Sequence, residues 1–131
     1  MLEGKPSVIN QVISLEPFLN TNCKLVIKRE DLIHPYISGN KYRKLKYNLI
    51  NAKKEGFNTL LTFGGAYSNH IAAVASVGKE FGFNTIGVIR GEELIDKIDL
   101  NPTLLFAKEC GMKFLFISRK DYQLKTEKAF I

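Results

Sequence analysis

A chain of 131 residues is long enough for one small domain built on one hydrophobic core. With 45% apolar and 24% charged residues it has globular composition, which excludes a disordered or low-complexity protein. The net charge of +6 would suit a nucleic-acid binder, but lysines and arginines are scattered from Lys5 to Lys128 without a basic face, so no nucleic-acid partner is expected.

Taken in chain order, residues 1–38 show no regular rhythm. One strand is expected at Lys24 to Lys28, followed by the charged run KRED (Lys28 to Asp31), which reads as a salt-bridged surface, and the turn-like HPYISG (His34 to Gly39). From there the chain alternates. Apolar residues at Tyr42, Leu45, Leu49 and Ala52 make the stripe of a one-sided helix that Gly56 ends. NTLLTF (Asn58 to Phe63) reads as a buried strand, GGAYSNH (Gly64 to His70) as a turn, and IAAVASVGKEFG (Ile71 to Gly82) as a buried helix stopped at Gly82. NTIGVIRG (Asn84 to Gly91) repeats the strand. Asn101 and Pro102 supply an N-cap and first helical position for TLLFAKEC, which Gly111 terminates, and KFLFIS (Lys113 to Ser118) is a third strand.

Gly56 to Gly78 contains no Asp, Glu, Lys or Arg, yet Gly64, Gly65, Ser68, Asn69 and His70 interrupt its middle where a membrane span tolerates them least, so no membrane association is expected. Cys23 and Cys110 stand far apart with no metal-ligand spacing, and no secretory leader follows Met1, which points to a reducing, cytoplasmic setting. Short apolar strands separated by helices imply the α/β class: an open parallel sheet with right-handed crossovers, covered on both faces in three layers. Residues 1–38 form an N-terminal arm built for something else, and 39–131 form the α/β unit.

In open parallel sheets the reactive crevice lies beyond the carboxyl ends of the strands. GGAYSNH lies at such an end, where Gly64 and Gly65 allow close backbone approach and the helix N-terminus around Ser68 to His70 offers N–H groups to a carboxylate or phosphate. The same Ser68 or Asn69 could simply cap the helix. The spacings of a P-loop, a dinucleotide fingerprint and a nucleophile elbow are all missing. In GNKYRK (Gly39 to Lys44), Lys41 sits at a helix start, where the dipole disfavours an ammonium. Partial desolvation by Tyr36 and Tyr42 acts the same way, toward an amine able to condense with an aldehyde. Beside Arg43, Lys44 and Lys46 it can equally be a surface lysine.

Together, KREDLIHPYISGNKYRKLKY and TFGGAYSNH resemble the pyridoxal-phosphate enzymes of the tryptophan-synthase β-subunit superfamily, fold type II. Within it, SGNK with a downstream GGxxSNH is most similar to the 1-aminocyclopropane-1-carboxylate deaminase and D-cysteine desulfhydrase family, and RGEE, NPTLLFAKECG and FISRKDY extend the resemblance. The resemblance implies pyridoxal 5'-phosphate (PLP) as cofactor, with Lys41 as the catalytic lysine that carries it. Asn69 would hydrogen-bond the ring oxygen of the cofactor. Ser68, Asn69 and His70, with their backbone N–H groups, would hold the carboxylate of a small amino-acid substrate. His70 can also serve as a hydrogen-bonding residue of the helix start, and His34 is expected to be structural.

Where the family carries Gln before the Ser-Asn pair and Arg shortly after, this chain has Tyr67 and then Ile71-Ala72, which leaves the choice of amino acid open. The resemblance also implies a protein more than twice as long and homodimeric when complete, of which this chain would be the arm of a large domain and most of a small domain. The glycine-rich phosphate loop would lie in the remainder. Apolar arm residues such as Leu15, Phe18, Leu25 and Ile27 are then expected to be exposed or packed on another copy. Two other readings stand beside this one: a non-catalytic fragment, and a small flavodoxin-like module holding a phosphorylated ligand at Gly64 to His70.

Overall fold

The fold is described from a computed structural model covering residues 7–16, 18, 20–127 and 130. Its organising element is a three-stranded parallel sheet in the order β3 (Thr59–Gly65), β4 (Asn84–Arg90), β5 (Lys113–Ile117). Three helices accompany it: α1 (Gly39–Lys54), α2 (Asn69–Phe81) and α3 (Pro102–Glu109). Each begins close to where its sequence signals place it. The stripe of α1 buries Tyr42, Leu45, Leu49 and Ala52, and Asn101 caps α3 with its side-chain oxygen accepting from the Thr103 and Leu104 N–H groups, both at 3.0 Å.

The helix α2 is the centre of the molecule. Its alanine-rich sequence lets it lie against the sheet and both neighbouring helices, and it buries Ile71 and Val74 in one cluster with Ile37, Leu49, Ile89 and Leu104. Gly64 at the end of β3 faces it so closely that an added Cβ would stand 2.5 Å from the Ile71 Cγ1.

Strand alternation divides the sheet. Leu60, Thr62 and Gly64 pair with Thr85, Gly87 and Ile89 on the α2 face. On the opposite face, Phe63, Val88 and Leu115 share one row. The expected α/β parallel sheet is present, but its two covers are unequal. A short α4 (Arg119–Gln123) brings Tyr122 edge-on to Phe63, while Leu61 and Leu115 remain more than half exposed. Neither α4 nor the 3-10 segment Glu92–Leu100 announces itself in the sequence: α4 is only five residues long, and Leu94 and Ile98, which pack on the core from the 3-10 segment, make too short a run to mark a helix.

In the arm, the expected strand appears as β2 (Leu25–Lys28), paired antiparallel with β1 (Asn10–Ile13), which was not foreseen. Four residues, NQVI, are too few for alternation to mark a strand. Phe18, Leu25 and Ile27 are exposed as expected, whereas Leu15 is half-buried. The KRED run is salt-bridged: Arg29 to Asp31, Lys28 to Glu30, and Glu30 across to Arg43 on α1. Among the described residues no helix is long and apolar enough to cross a membrane.

Candidate functional site

Because the strands are parallel, the first turns of α1, α2 and α3 all fall at one edge of the sheet, and there they enclose a cavity of about 550 Å³. That volume lies within the range of roughly 300–1,000 Å³ typical of small-molecule sites. Gly39, Asn40 and Lys41 reach it from α1, Asn69 and Ala72 from α2, and Pro102, Thr103 and Phe106 from α3. Asp31, Pro35, Tyr36 and Ser38 complete the wall.

Lys41 is half-buried in the first turn of α1. Gly39 launches that helix with φ of 58°, a left-handed conformation that glycine adopts without steric cost, and Ser38 before it offers no side-chain cap. The positive end of α1 is therefore open toward the cavity. Tyr36 borders the cavity, stacked on Phe106 at 4.9 Å, whereas Tyr42 is buried in the core and does not line it. Asp31 is the acidic side chain on the wall, and the Arg29 guanidinium holds its carboxyl below the usual range.

Of the four residues singled out in the sequence, Lys41 and Asn69 are brought into this one cavity. Ser68 sits just before α2 in extended conformation and its Oγ accepts the His70 N–H at 3.2 Å, so it caps the helix. The His70 side chain goes elsewhere. It lines a second cavity of about 170 Å³ with Leu45, Asn48, Leu49, Leu60, Leu61, Thr62 and Val74, and its Nδ1 is buried without a hydrogen-bond partner among the described residues. Burial, and then the positive charges of Lys41 and Lys44, hold the imidazole below its ordinary value, so His70 is neutral at physiological pH. What remains of His70 at the start of α2 is its backbone, whose N–H is already donated to the Ser68 Oγ.

The contribution of α3 was missed, and so was Asp31. A signal for α3 existed: in a βαβ chain every helix starts at the same sheet edge, so the Asn101-Pro102 cap was bound to approach the GGAYSNH turn. For Asp31 there was none, since KRED reads as a solvated charge run.

No family model matches the chain. A putative 1-aminocyclopropane-1-carboxylate deaminase of Thermotoga maritima is 36% identical over 99 residues, 76% of this chain and 30% of that protein. The mitochondrial bifunctional D-cysteine desulfhydrase/1-aminocyclopropane-1-carboxylate deaminase of Arabidopsis thaliana is 32% identical over 108 residues, 81% of this chain and 27% of that one. D-cysteine desulfhydrase of Salmonella newport is 32% identical over 88 residues, 67% of the chain and 26% of the relative. A solved structure described as an ACC deaminase homologue superposes with a TM-score of 0.66 at 34% identity, covering 79% of this chain and 30% of that chain. The resemblance to this family therefore holds in sequence and in fold, and it falls on the N-terminal portion of such proteins. The chain spans under a third of the length of these relatives.

Proposed function

We propose, for a chain related to the 1-aminocyclopropane-1-carboxylate deaminases and D-cysteine desulfhydrases, that it is the lysine-bearing part of a PLP-dependent lyase or deaminase acting on a small amino acid. The observation that carries this reading is the convergence of Lys41 and Asn69 on one ligand-sized cavity at three helix N-termini. The donor set fits the group: an amine for its aldehyde carbon, an amide for its ring oxygen, and flanking aromatic and proline surfaces from Tyr36, Phe106 and Pro102.

PLP, when bound, supplies an electron sink that eases bond breaking at the α carbon of an amino acid. The chain's own residues do the rest. Lys41 Nζ would hold the cofactor covalently and, once displaced by the substrate amine, carry a proton to or from the substrate. The Asn69 amide would donate to the ring oxygen and so orient the ring. Ser68 and the first N–H groups of α2 would receive a carboxylate, favoured there by the helix dipole. The choice of amino acid, the homodimeric assembly of the whole protein and its cytoplasmic location belong to the same reading; the free thiols Cys23 and Cys110 suit a reducing compartment.

The test is incubation with PLP followed by borohydride and peptide mapping. Label is expected at Lys41 and is lost in Lys41→Ala, and Asn69→Ala is expected to change the absorbance of the adduct without unfolding the chain. Label spread evenly over Lys41, Lys44 and Lys46 would sink the reading, and ligand binding that survives Lys41→Ala would favour a small phosphate-binding module. The 131-residue chain alone should retain PLP weakly and turn over neither D-cysteine nor 1-aminocyclopropane-1-carboxylate, since backbone N–H groups that grip a phosphate dianion cannot be replaced by one hydrolysable bond.

A further inference from the structure

The segment from His34 to Gly39 is a strap that delivers Lys41 to the cavity, and it is fastened at its far end by one imidazole. His34 Nδ1 faces the backbone N–H groups of Tyr36 and Ile37 at 3.2 and 3.1 Å, so it accepts from both. Its Nε2 stands 3.0 Å from Glu80 Oε2 in the last turn of α2. With Nδ1 occupied as an acceptor, the proton sits on Nε2 and is donated to Glu80. The side chain is 18% exposed. Beyond it the strap stacks Tyr36 on Phe106 of α3, buries Ile37 completely in the core, and enters α1 at Ser38, whose carbonyl accepts the Lys41 N–H at 3.2 Å. One helix, α2, thus carries Asn69 at its first turn and the strap's fastening at its last.

We infer that His34 is a positioning residue: as the neutral Nε2–H form it ties the strap to α2 and thereby sets Lys41 in place relative to Asn69. The inference rests on the reading of Lys41 and Asn69 as one site. A side-chain acceptor reaching the N–H groups two and three residues ahead is the arrangement that Asn and Asp make in Asx turns, so Asn can replace the acceptor but not the link to Glu80.

The test compares the chain with His34→Ala and His34→Asn by NMR, without ligand. In His34→Ala the Tyr36 and Ile37 amides are expected to exchange on the order of tenfold faster, as two neutral hydrogen bonds are lost. The amide signals of Gly39, Asn40, Lys41 and Asn69 should move with them. His34→Asn should restore the Tyr36 and Ile37 protection while leaving part of the Asn69 shift, and Glu80→Ala should reproduce that remaining part. The parent's imidazole nitrogen spectrum should show the Nε2–H form.

Changes confined to residues 34–37 would overturn the positioning role, leaving a local turn. An Nδ1–H imidazole, or unchanged exchange in His34→Ala, would overturn the fastening itself. If His34→Ala does not fold, His34→Asn and the imidazole spectrum decide. Failure of PLP to label Lys41 in the parent chain would sink the functional reading and would not move these amide signals.

Discussion

Gly64→Ala tests whether the close approach of β3 to α2 is as tight as the fold requires. The new Cβ would stand 2.5 and 2.8 Å from the Ile71 Cγ1 and Cδ1 and 3.2 Å from the Ser68 Cβ, against the roughly 3.5–4.0 Å at which carbon atoms rest. Ile71 cannot swing aside easily. It is fully buried, and its β-branch restricts χ1 on a helix. Overpacking of this kind costs about 1–3 kcal/mol, and at roughly 4 °C per kcal/mol for a domain of this size the melting temperature should fall by about 4–12 °C. Gly65→Ala is the internal control, since among the described residues its Cβ would meet only the Arg90 Nη2 at 3.7 Å and should change stability by less than about 0.5 kcal/mol. Urea and thermal unfolding followed by circular dichroism measure both. Combining Gly64→Ala with Ile71→Ala should cost less than the sum of the single changes, because removing the isoleucine removes the clash. Equal stability of the two glycine variants, or strict additivity in the double variant, would refute the packing described for the GGAYSNH turn.

Asn101→Ala leaves the Thr103 and Leu104 N–H groups without their buried cap and should destabilise the chain by about 1–2 kcal/mol in urea unfolding; an unchanged midpoint would count against that cap. His70→Gln should gain on the parent as the solution is acidified. The folded chain holds His70 below its ordinary value, so as pH falls through about 6.5 the unfolded chain takes up that proton first, and the parent loses a share of stability that the variant keeps. A stability difference identical at pH 7.5 and pH 5 would contradict this. If copies of the chain meet through the exposed β1–β2 ribbon, Val12→Thr with Val26→Thr should raise the monomer fraction in sedimentation at little cost in stability; an unchanged association state would refute that use of the ribbon.

Much of this fold is written locally in the chain. The stripe from Tyr42 to Ala52, the Asn101 cap and the three apolar strand runs each state their element through periodicity or backbone chemistry that acts within a few residues. The same locality explains what could not be read. The strand β1 exists because β2 offers it a ladder, and the sheet's two faces are unequal because α4 covers Phe63 and not Leu61. Lys41 and Asn69 could be chosen from their motifs, but their sharing a cavity with Thr103 and Phe106 depends on which helices become neighbours across the sheet. Asn69 and His70 show the limit most directly. Adjacent in sequence and both at the start of α2, they point roughly 100° apart around a helix of about 3.6 residues per turn, so one side chain faces the Lys41 cavity and the other turns into the apolar space between α1 and β3.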